Sequence, residues 1–128
     1  MQNCKSNNTN SLNKKYRKLF ENIHNRFPNR QTTLPIKTLV VPAKNTRSKT
    51  IPRPQNCFII FRREITATLT NSGDRKTVKT LSKVAGDRWQ ELKKDKQNHP
   101  DKDRDLDFWK LLCKIADCQH KLMYPDYK

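Results

Sequence analysis

The stretch that decides the fold is residues 53–61, which read Arg53-Pro54-Gln55-Asn56-Cys57-Phe58-Ile59-Ile60-Phe61. The pattern predicts a helix that begins near Pro54 and ends at about Leu69, before an Asn-Ser-Gly turn. At about 100° per residue, four apolar side chains of this helix fall within roughly 80° of each other and form an ordinary core face. These side chains are Phe58, Phe61, Ile65 and Leu69.

Two isoleucines in the same stretch do not share that face. Ile59 and Ile60 lie about 100° and 200° round the helix from Phe58, next to Asn56 and Arg63. A single isoleucine on a protein surface is common and has no special meaning by itself. In a basic setting beside an amide, however, an exposed aliphatic side chain is typical of a wedge that enters a base step of DNA, while the amide reads a base edge.

Two more helices follow, from about Thr77 to Leu92 or Lys94 and from Asp105 to Met123, where a Tyr-Pro pair ends the last one. The core side of the second helix is predicted to consist of Val78, Leu81, Ala85, Trp89 and Leu92. The third contributes Phe108, Trp109, Leu112, Ile115 and Ala116. The aspartate-rich loop between them should lie away from phosphate groups. Two tryptophans and several other aromatic residues bury enough surface for an independent fold.

The charge of the chain indicates a polyanionic partner. Its 128 residues include 28 basic and 12 acidic ones, a net charge of +16, which favours nucleic acid over an anionic membrane or an acidic protein. Residues 1–52 hold eleven basic residues and Glu21 as their only acid, whereas residues 53–128 hold seventeen basic and eleven acidic residues. We therefore divide the chain into a basic N-terminal arm, 1–51, and a folded domain, 52–128.

The N-terminal arm itself has three parts. Residues 1–11 are polar and are expected to be disordered. A basic amphipathic helix is predicted over 12–27, capped by Ser11 and stopped by Pro28. Its apolar stripe is Leu12, Tyr16, Leu19, Phe20, Ile23 and Phe27. We favour a helix that docks back on the domain or forms only transiently; a helix that docks a partner or contacts DNA is the alternative.

Residues 29–52, which hold prolines at 35, 42 and 52 and a short β-prone run at 38–41, are predicted to be a linker. The linker should lie extended along the surface of the domain. Lys44, Arg47 and Lys49 form a diffuse basic cluster of the kind that serves nuclear import.

Several classes of function lack support in the sequence. Two glycines are too few for a phosphate-binding loop or a dinucleotide fingerprint. No stretch is apolar enough to cross a bilayer and no signal-peptide core is present, so we expect an intracellular chain with reduced cysteines and no membrane partner. The three histidines are scattered and no nucleophile–base arrangement is visible, so we predict that the chain is not an enzyme. A sheet of stacking aromatics or a GXXG loop for RNA is also missing.

The cysteines do not predict a metal site. Cys113 and Cys118 are five residues apart on one predicted helix, with His120 nearby, and this spacing does not aim three ligands at one point. Cys4 and Cys57 stand alone in the sequence. We therefore expect ordinary core or surface thiols, without a bound metal or cofactor.

Three motifs carry a resemblance to a known family. Residues 53–61 resemble the opening RPxNxFIxF/W of sequence-specific HMG boxes, which include the SOX-type and the fungal mating-type proteins. Residues 81–89, LSKVAGDRW, resemble the second-helix motif I-S-K-x-L-G-x-x-W of these boxes, and His120 with YPDYK at 124–128 resembles their ending H-x-x-x-YPxYK. The motifs occur in the family's order over about residues 52–128, and the YPDYK ending is especially similar to the mating-type group.

The resemblance implies an all-α fold: a three-helix, L-shaped HMG box with a basic, largely flexible N-terminal arm. The concave face of the L would lie on a widened minor groove. By position, Asn56 would hydrogen-bond to base edges, Phe58 would lean on the sugars and bases near the kink, and Ile59 would intercalate. Arg53 and Ser82 would contact the groove wall, and Arg63 and Lys83 would contact phosphates. Lys79, on the outer side of the second helix, completes the set of predicted DNA-binding residues.

The function that this resemblance implies is transcriptional regulation in the nucleus by a monomer that binds double-stranded DNA and bends it. Specificity would come from A·T preference and deformability, since the minor groove shows a degenerate pattern.

Val78 and Lys79 stand where SOX-type boxes carry Asn and Ser, so the target sequence should differ. The chain ends before the basic tail that braces the bend in many such boxes, and the N-terminal arm is a candidate to replace it. A protein co-regulator is a possible second partner. Two alternatives are a structure-preferring architectural DNA-binding protein and an HMG-like protein-interaction module.

Overall fold

A computed structural model describes residues 3–42, 50–73 and 77–127, with the backbone alone for 3–9. Within these ranges the chain forms five helices and no strand, which confirms the predicted all-α class. The helices are α1 (Asn3–Arg26), α2 (Ile36–Leu39), α3 (Cys57–Asn71), α4 (Val78–Asn98) and α5 (Asp105–Met123). No helix in the described ranges is long and apolar enough to cross a membrane. The basic cluster of Lys44, Arg47 and Lys49 lies outside the described residues.

The three predicted helices of the domain correspond to α3, α4 and α5. α3 begins at Cys57 rather than near Pro54, because Asn56 caps it: the Asn56 side chain accepts a hydrogen bond from the Ile59 backbone N–H. Thr77 caps α4 in the same way through the N–H of Thr80. The bounds of α5 are those predicted from the sequence.

α5 lies at the centre of the core. All five of its predicted core residues are buried, and both tryptophans belong to the core, as predicted. The ring of Phe61 on α3 lies 5.2 Å from the ring of Trp89 on α4 and 5.2 Å from the ring of Trp109 on α5. One aromatic side chain therefore joins the three helices, and such ring pairs stabilise the fold beyond the area that they bury.

The prediction for Val78 is wrong. Its side chain is 69% exposed, although it shares a helical stripe with Ala85 and Trp89, which are buried. Val78 lies in the first turn of α4, and the next residue of the stripe, Leu81, is only half-buried.

α1 packs against α5, as the favoured interpretation of the amphipathic helix requires. It begins at Asn3, within the segment expected to be disordered, so that Ser11 lies inside the helix and does not cap it. Ile23, in the middle of the apolar stripe, is almost completely buried. Phe27 closes the contact, since its ring lies edge-on to that of Phe108 at 5.4 Å.

The second part of the arm also enters the core. Part of the linker that was expected to be extended instead forms the single turn of α2, in which the N–H groups of Thr38 and Leu39 donate to the Pro35 carbonyl oxygen. Leu39 and Val40 are fully buried. The N-terminal arm and the predicted domain therefore share one hydrophobic core.

The arm explains why Ile60 departs from its predicted position. The helical wheel placed Ile60 off the core face, but the side chain is fully buried. On the wheel it lies between Arg63 and Glu64, and both of these bind the arm: Arg63 donates to carbonyl oxygens at 38–41, and Glu64 accepts from the N–H groups of Thr33 and Leu34. The segment that runs past Ile60 supplies a cover that the domain's own sequence does not contain.

The acidic loop before α5 pairs with basic residues of the arm. Arg26 hydrogen-bonds to Asp103, with Nε at 3.1 Å from Oδ2, and Arg30 Nε lies 2.8 Å from Asp105 Oδ1. The bond from Arg26 holds the pKa of Asp103 below its usual value. The first pair is exposed and the second is part-buried. Surface pairs of this kind add little stability individually, but they fix where α1 ends on the domain.

α4 is longer than predicted, and the loop after it is correspondingly shorter. The helix continues to Asn98, where the sequence predicted an end at Leu92 or Lys94. Two ion pairs join its last turns to the start of α5: Asp95 with Arg104 at 2.6 Å, and Lys96 with Asp107 at 2.8 Å.

Candidate nucleic-acid interface

The extended segment at 51–56, which precedes α3, is held by buried polar contacts on both sides of Arg53. His120 is buried on α5, and its Nε2 lies 2.6 Å from the Pro52 carbonyl oxygen. Gln55 is also buried and donates from Nε2 to the Leu39 carbonyl oxygen at 2.9 Å. Arg53 lies between these anchors with its side chain exposed. The segment therefore presents this side chain to solvent from a fixed backbone.

The residues of the C-terminal motif support this anchor. The ring of His120 lies 5.1 Å from the ring of Tyr124 and 4.8 Å from that of Tyr127, edge-on to the latter. The similarity of this motif to HMG-box endings thus has a structural reason: its aromatic side chains surround the histidine that holds the segment before α3.

Asn56 combines a structural contact with a free donor group. Its Oδ1 accepts from the Ile59 N–H at 2.8 Å, and the residue is exposed. Because the cap uses the oxygen, the amide NH₂ is the group left to donate to a ligand. A·T pairs show only acceptors in the minor groove, adenine N3 and thymine O2, so a donor is the matching chemistry.

Phe58 and Ile59 differ in how firmly the fold holds them. Phe58 is half-buried, and its ring packs on Trp89 of α4 at 5.9 Å with an interplanar angle of 68°. Ile59 is 37% exposed. The next residue along the chain is fully buried, so the exposed isoleucine lies directly beside a rigid part of the core.

Three of the eight predicted site residues line one open groove on α3. The groove has a volume of about 750 Å³, and Arg53, Ile59 and Arg63 are among its lining residues, together with Arg62 and Thr66. Asn56 and Phe58 adjoin these residues in the sequence without lining the groove. Arg62 was not singled out from the sequence, although its position three residues after Ile59 places it on the same helix face.

The three predicted residues of α4 lie apart from this groove. Lys79 and Lys83 are exposed and Ser82 is half-buried, all in the first two turns of the helix. α4 packs against α3, and the contact of Phe58 with Trp89 fixes the two helices relative to each other. The predicted DNA contacts thus occupy the beginnings of two neighbouring helices.

Arg63 hydrogen-bonds to several groups within the protein, whereas the resemblance predicted a contact with phosphate. Nη1 donates to the carbonyl oxygens of Leu39 and Val41 at 3.1 and 2.7 Å and to Gln55 Oε1 at 2.8 Å, and Nη2 donates to Thr38. Partial burial lowers the pKa of its guanidinium. The side chain ties α3 to the arm, and its contact with phosphate stays a prediction.

Sequence reasoning missed a buried carboxylate. Glu64 is only 6% exposed and accepts from the N–H groups of Thr33 and Leu34 at 2.6 and 2.9 Å. This feature has no signal in the sequence, because it depends on an element distant along the chain.

The remaining residues of the predicted cysteine–histidine group have separate partners. Cys118 donates to the Leu12 carbonyl oxygen at 3.3 Å, whereas His120 binds Pro52. Each side chain therefore serves a different packing contact of α5.

The family model for the HMG (high mobility group) box matches residues 51–105. The chain contains an HMG box. The match includes the extended segment, α3 and α4, and therefore every residue predicted to contact DNA. HMG boxes are a DNA-binding and non-enzymatic class of domain, in line with the prediction that this chain is not an enzyme.

The resemblance to fungal mating-type proteins is also confirmed by comparison with known proteins. The chain is similar to the mating-type M-specific polypeptide Mc of Schizosaccharomyces pombe, with 34% identity over 83 residues, which is 65% of this chain and 41% of the relative. The polypeptide Mc of Schizosaccharomyces kambucha is 35% identical over 86 residues, covering 66% of this chain and 42% of the relative. The chain thus spans less than half the length of these relatives. No solved structure matches the chain significantly.

Proposed function

We propose that this HMG box binds double-stranded DNA in the minor groove, bends it and prefers certain A·T-rich sequences, and that the chain acts as a transcriptional regulator of mating-type kind in the nucleus. The observation that carries the proposal is the exposed Ile59, which projects from the first turn of α3 beside the capped amide of Asn56. An apolar side chain at the end of a basic helix surface, next to a hydrogen-bond donor, fits a base step better than it fits water.

The charges around this point suit a duplex. Arg53 and Arg62 line the groove that contains Ile59, and exposed lysines at 79 and 83 lie at the start of α4. Each basic side chain that neutralises a phosphate releases counterions, so binding should weaken steeply with salt. Phosphate contacts of this kind position the box without reading sequence.

The sequence preference arises from the proposed wedge, Ile59, and from the side-chain amide of Asn56. Inserting Ile59 between two base pairs costs a few kcal/mol of stacking, and the cost is smallest at flexible pyrimidine–purine steps. Asn56 donates best where adenine N3 and thymine O2 are the exposed acceptors. A·T-rich sites that contain a flexible step satisfy both requirements.

One observation favours the architectural alternative. Val78 is 69% exposed at the first turn of α4, next to Lys79. A second apolar side chain that enters the groove would add to the bend without adding a base contact. A box with two wedges would bind distorted or flexible DNA with less dependence on sequence.

The test measures affinity and bend angle together, on A·T-rich and G·C-rich duplexes of equal length at fixed salt, by gel shift and end-to-end energy transfer. Ile59→Ala should lose most of the bend, while Val78→Ala, the same kind of truncation at the other exposed site, should keep it. Asn56→Ala should lose the A·T preference. Equal loss of bend in both wedge variants, with no preference in the wild type, would support the architectural function. A one-to-one complex is expected, because we propose that the box acts as a monomer.

A result in which none of the three substitutions changes affinity or bend would contradict both functions. Charge alone would then hold the DNA, and the domain would have to act through a protein partner.

A further inference from the structure

The side chain of Gln55 joins the arm to α3. The residue is buried, with 8% of its surface exposed. Its Nε2 donates to the Leu39 carbonyl oxygen at 2.9 Å, and its Oε1 accepts from Arg63 Nη1 at 2.8 Å. Its backbone carbonyl oxygen lies 3.7 Å from the sulfur of Cys113 on α5. The residue directly before the helix cap is therefore held by the arm, by α3 and by α5.

We propose that Gln55 is a positioning residue for DNA recognition: through its bond to the Leu39 carbonyl oxygen, the arm fixes the segment at 51–56 and thereby sets the affinity and the A·T preference of the box. The proposal rests on the proposed function, since it assumes that Arg53 and Asn56 contact DNA. Residues 1–50 lie outside the range that matches the HMG-box family. The arm thus gains a role in recognition that needs no contact between the arm and DNA.

The arm offers a rigid acceptor to Gln55. The side chains of Leu39 and Val40 are fully buried in the core, so the Leu39 carbonyl group cannot shift without disturbing the packing. Glu64 of α3 holds the preceding part of the arm through the N–H groups of Thr33 and Leu34. Gln55 therefore connects the segment before α3 to a fixed point.

The segment at 51–56 depends on such anchors because it belongs to no helix or strand. His120 binds the Pro52 carbonyl oxygen near one end, and Gln55 binds the arm near the other. Arg53 lies between the two anchors, and Asn56 follows the second one directly. A recognition segment that is ordered before it binds avoids the entropy cost of being ordered on the ligand. Ordering the backbone of about one residue corresponds to roughly tenfold weaker binding.

The groups that Gln55 contacts do not need it as a hydrogen-bond partner. The Leu39 carbonyl oxygen also accepts from Arg63 Nη1 at 3.1 Å, and Arg63 donates to the carbonyl oxygens of Val41 and Thr38 as well. Gln55→Met, with a side chain of similar length, therefore leaves neither partner unpaired and should keep the fold. A residue that only fills space could be replaced in this way without an effect on DNA, whereas a positioning residue could not.

The position of the segment is tested on the full chain without DNA, by NMR relaxation of the backbone amides of Arg53 and Asn56. In the wild type both order parameters should be about 0.85, the value of rigid backbone. Gln55→Met should lower both to about 0.6, the value of flexible backbone, while the melting temperature and the amides of α5 stay unchanged. Gln97→Met makes the same substitution at an exposed position near the end of α4 and should change neither amide. Unchanged order parameters in Gln55→Met would overturn the proposal.

The effect on recognition is read from gel shifts with A·T-rich and G·C-rich duplexes of equal length at fixed salt. Gln55→Met should bind the A·T-rich duplex roughly tenfold more weakly and discriminate less between the two duplexes. Gln97→Met should match the wild type in both respects. Wild-type affinity and preference in a Gln55→Met protein with a mobile segment would show that the position of the segment does not govern recognition.

Gln55→Glu isolates the bond to the arm. Beside the Arg63 guanidinium the carboxylate stays ionised, so it keeps the acceptor for Arg63 but cannot donate to Leu39. This variant should lose the A·T preference as Gln55→Met does, and it decides the question if the methionine variant does not fold. A glutamate variant with the wild-type preference would overturn the proposal. If the wild type itself binds no duplex, the proposed function is wrong, and the order parameters still decide whether Gln55 holds the segment.

Discussion

The side-chain oxygen of Asn56 accepts a hydrogen bond from the backbone N–H of Ile59 at 2.8 Å. The residue that we expect to read a base edge is thus also the cap of the helix that carries the proposed wedge. Removing its side chain will disturb both the helix and the DNA contact. A substitution that keeps one role and removes the other is needed to separate them.

Asn56→Ala should lower the free energy of unfolding by about 1 kcal/mol, since a helix loses its N-cap. It should also abolish the preference for A·T-rich duplexes. Asn56→Ser is the matched control, because serine caps a helix about as well as asparagine but lacks the amide. We expect the serine variant to unfold like the wild type in urea and still to show no preference in a gel shift. A serine variant that keeps the preference would reduce the role of Asn56 to capping.

Arg63 and Lys83 should behave as opposites, although the resemblance assigned a phosphate contact to both. Arg63→Gln removes hydrogen bonds to three arm carbonyl groups and should lower the free energy of unfolding by roughly 1 to 3 kcal/mol. Lys83 is exposed, so Lys83→Gln should leave stability unchanged and reduce the slope of log affinity against log salt by about 1. Urea unfolding and salt-dependent binding measure the two effects. A reduced salt slope in Arg63→Gln would show that this side chain leaves the arm to contact phosphate.

The contrast between these residues shows what the sequence predicts and what it does not. The helical pattern of the domain predicted the core faces of α3 and α5, because the spacing of apolar residues marks the side that a helix buries, whichever element covers it. The burial of Ile60 depends on the arm, which is distant along the chain, and periodicity along one helix carries no information about it. The prediction for Val78 was wrong for the opposite reason: the residue has the right spacing for the core but is exposed in the first turn of α4. The exposed residues of the candidate site could be predicted from their positions in the motifs. The hydrogen bonds between Arg63 and the arm could not.

Ile23 tests whether the N-terminal arm belongs to the folded unit in solution. Its side chain is almost completely buried between α1 and the core, so Ile23→Ala should lower the free energy of unfolding by about 2 to 5 kcal/mol. Asn22→Ala, at the neighbouring exposed position, should have little effect. Urea unfolding followed by tryptophan fluorescence reports both. Equal stability of the two variants would mean that α1 does not dock on α5.

The exposed basic side chains of α1 test whether the arm also contacts DNA. Deleting residues 1–50 would remove Ile23, Leu39 and Val40 from the core, so a failure to bind would not distinguish charge from folding. Neutralising Lys14, Arg17 and Lys18 to glutamine avoids this problem, since all three are exposed. If the arm braces bent DNA, the salt slope should flatten by about 0.9 for each phosphate that the arm no longer neutralises. Thermal unfolding should stay at the wild-type temperature. An unchanged slope with unchanged affinity would leave the arm a purely structural role.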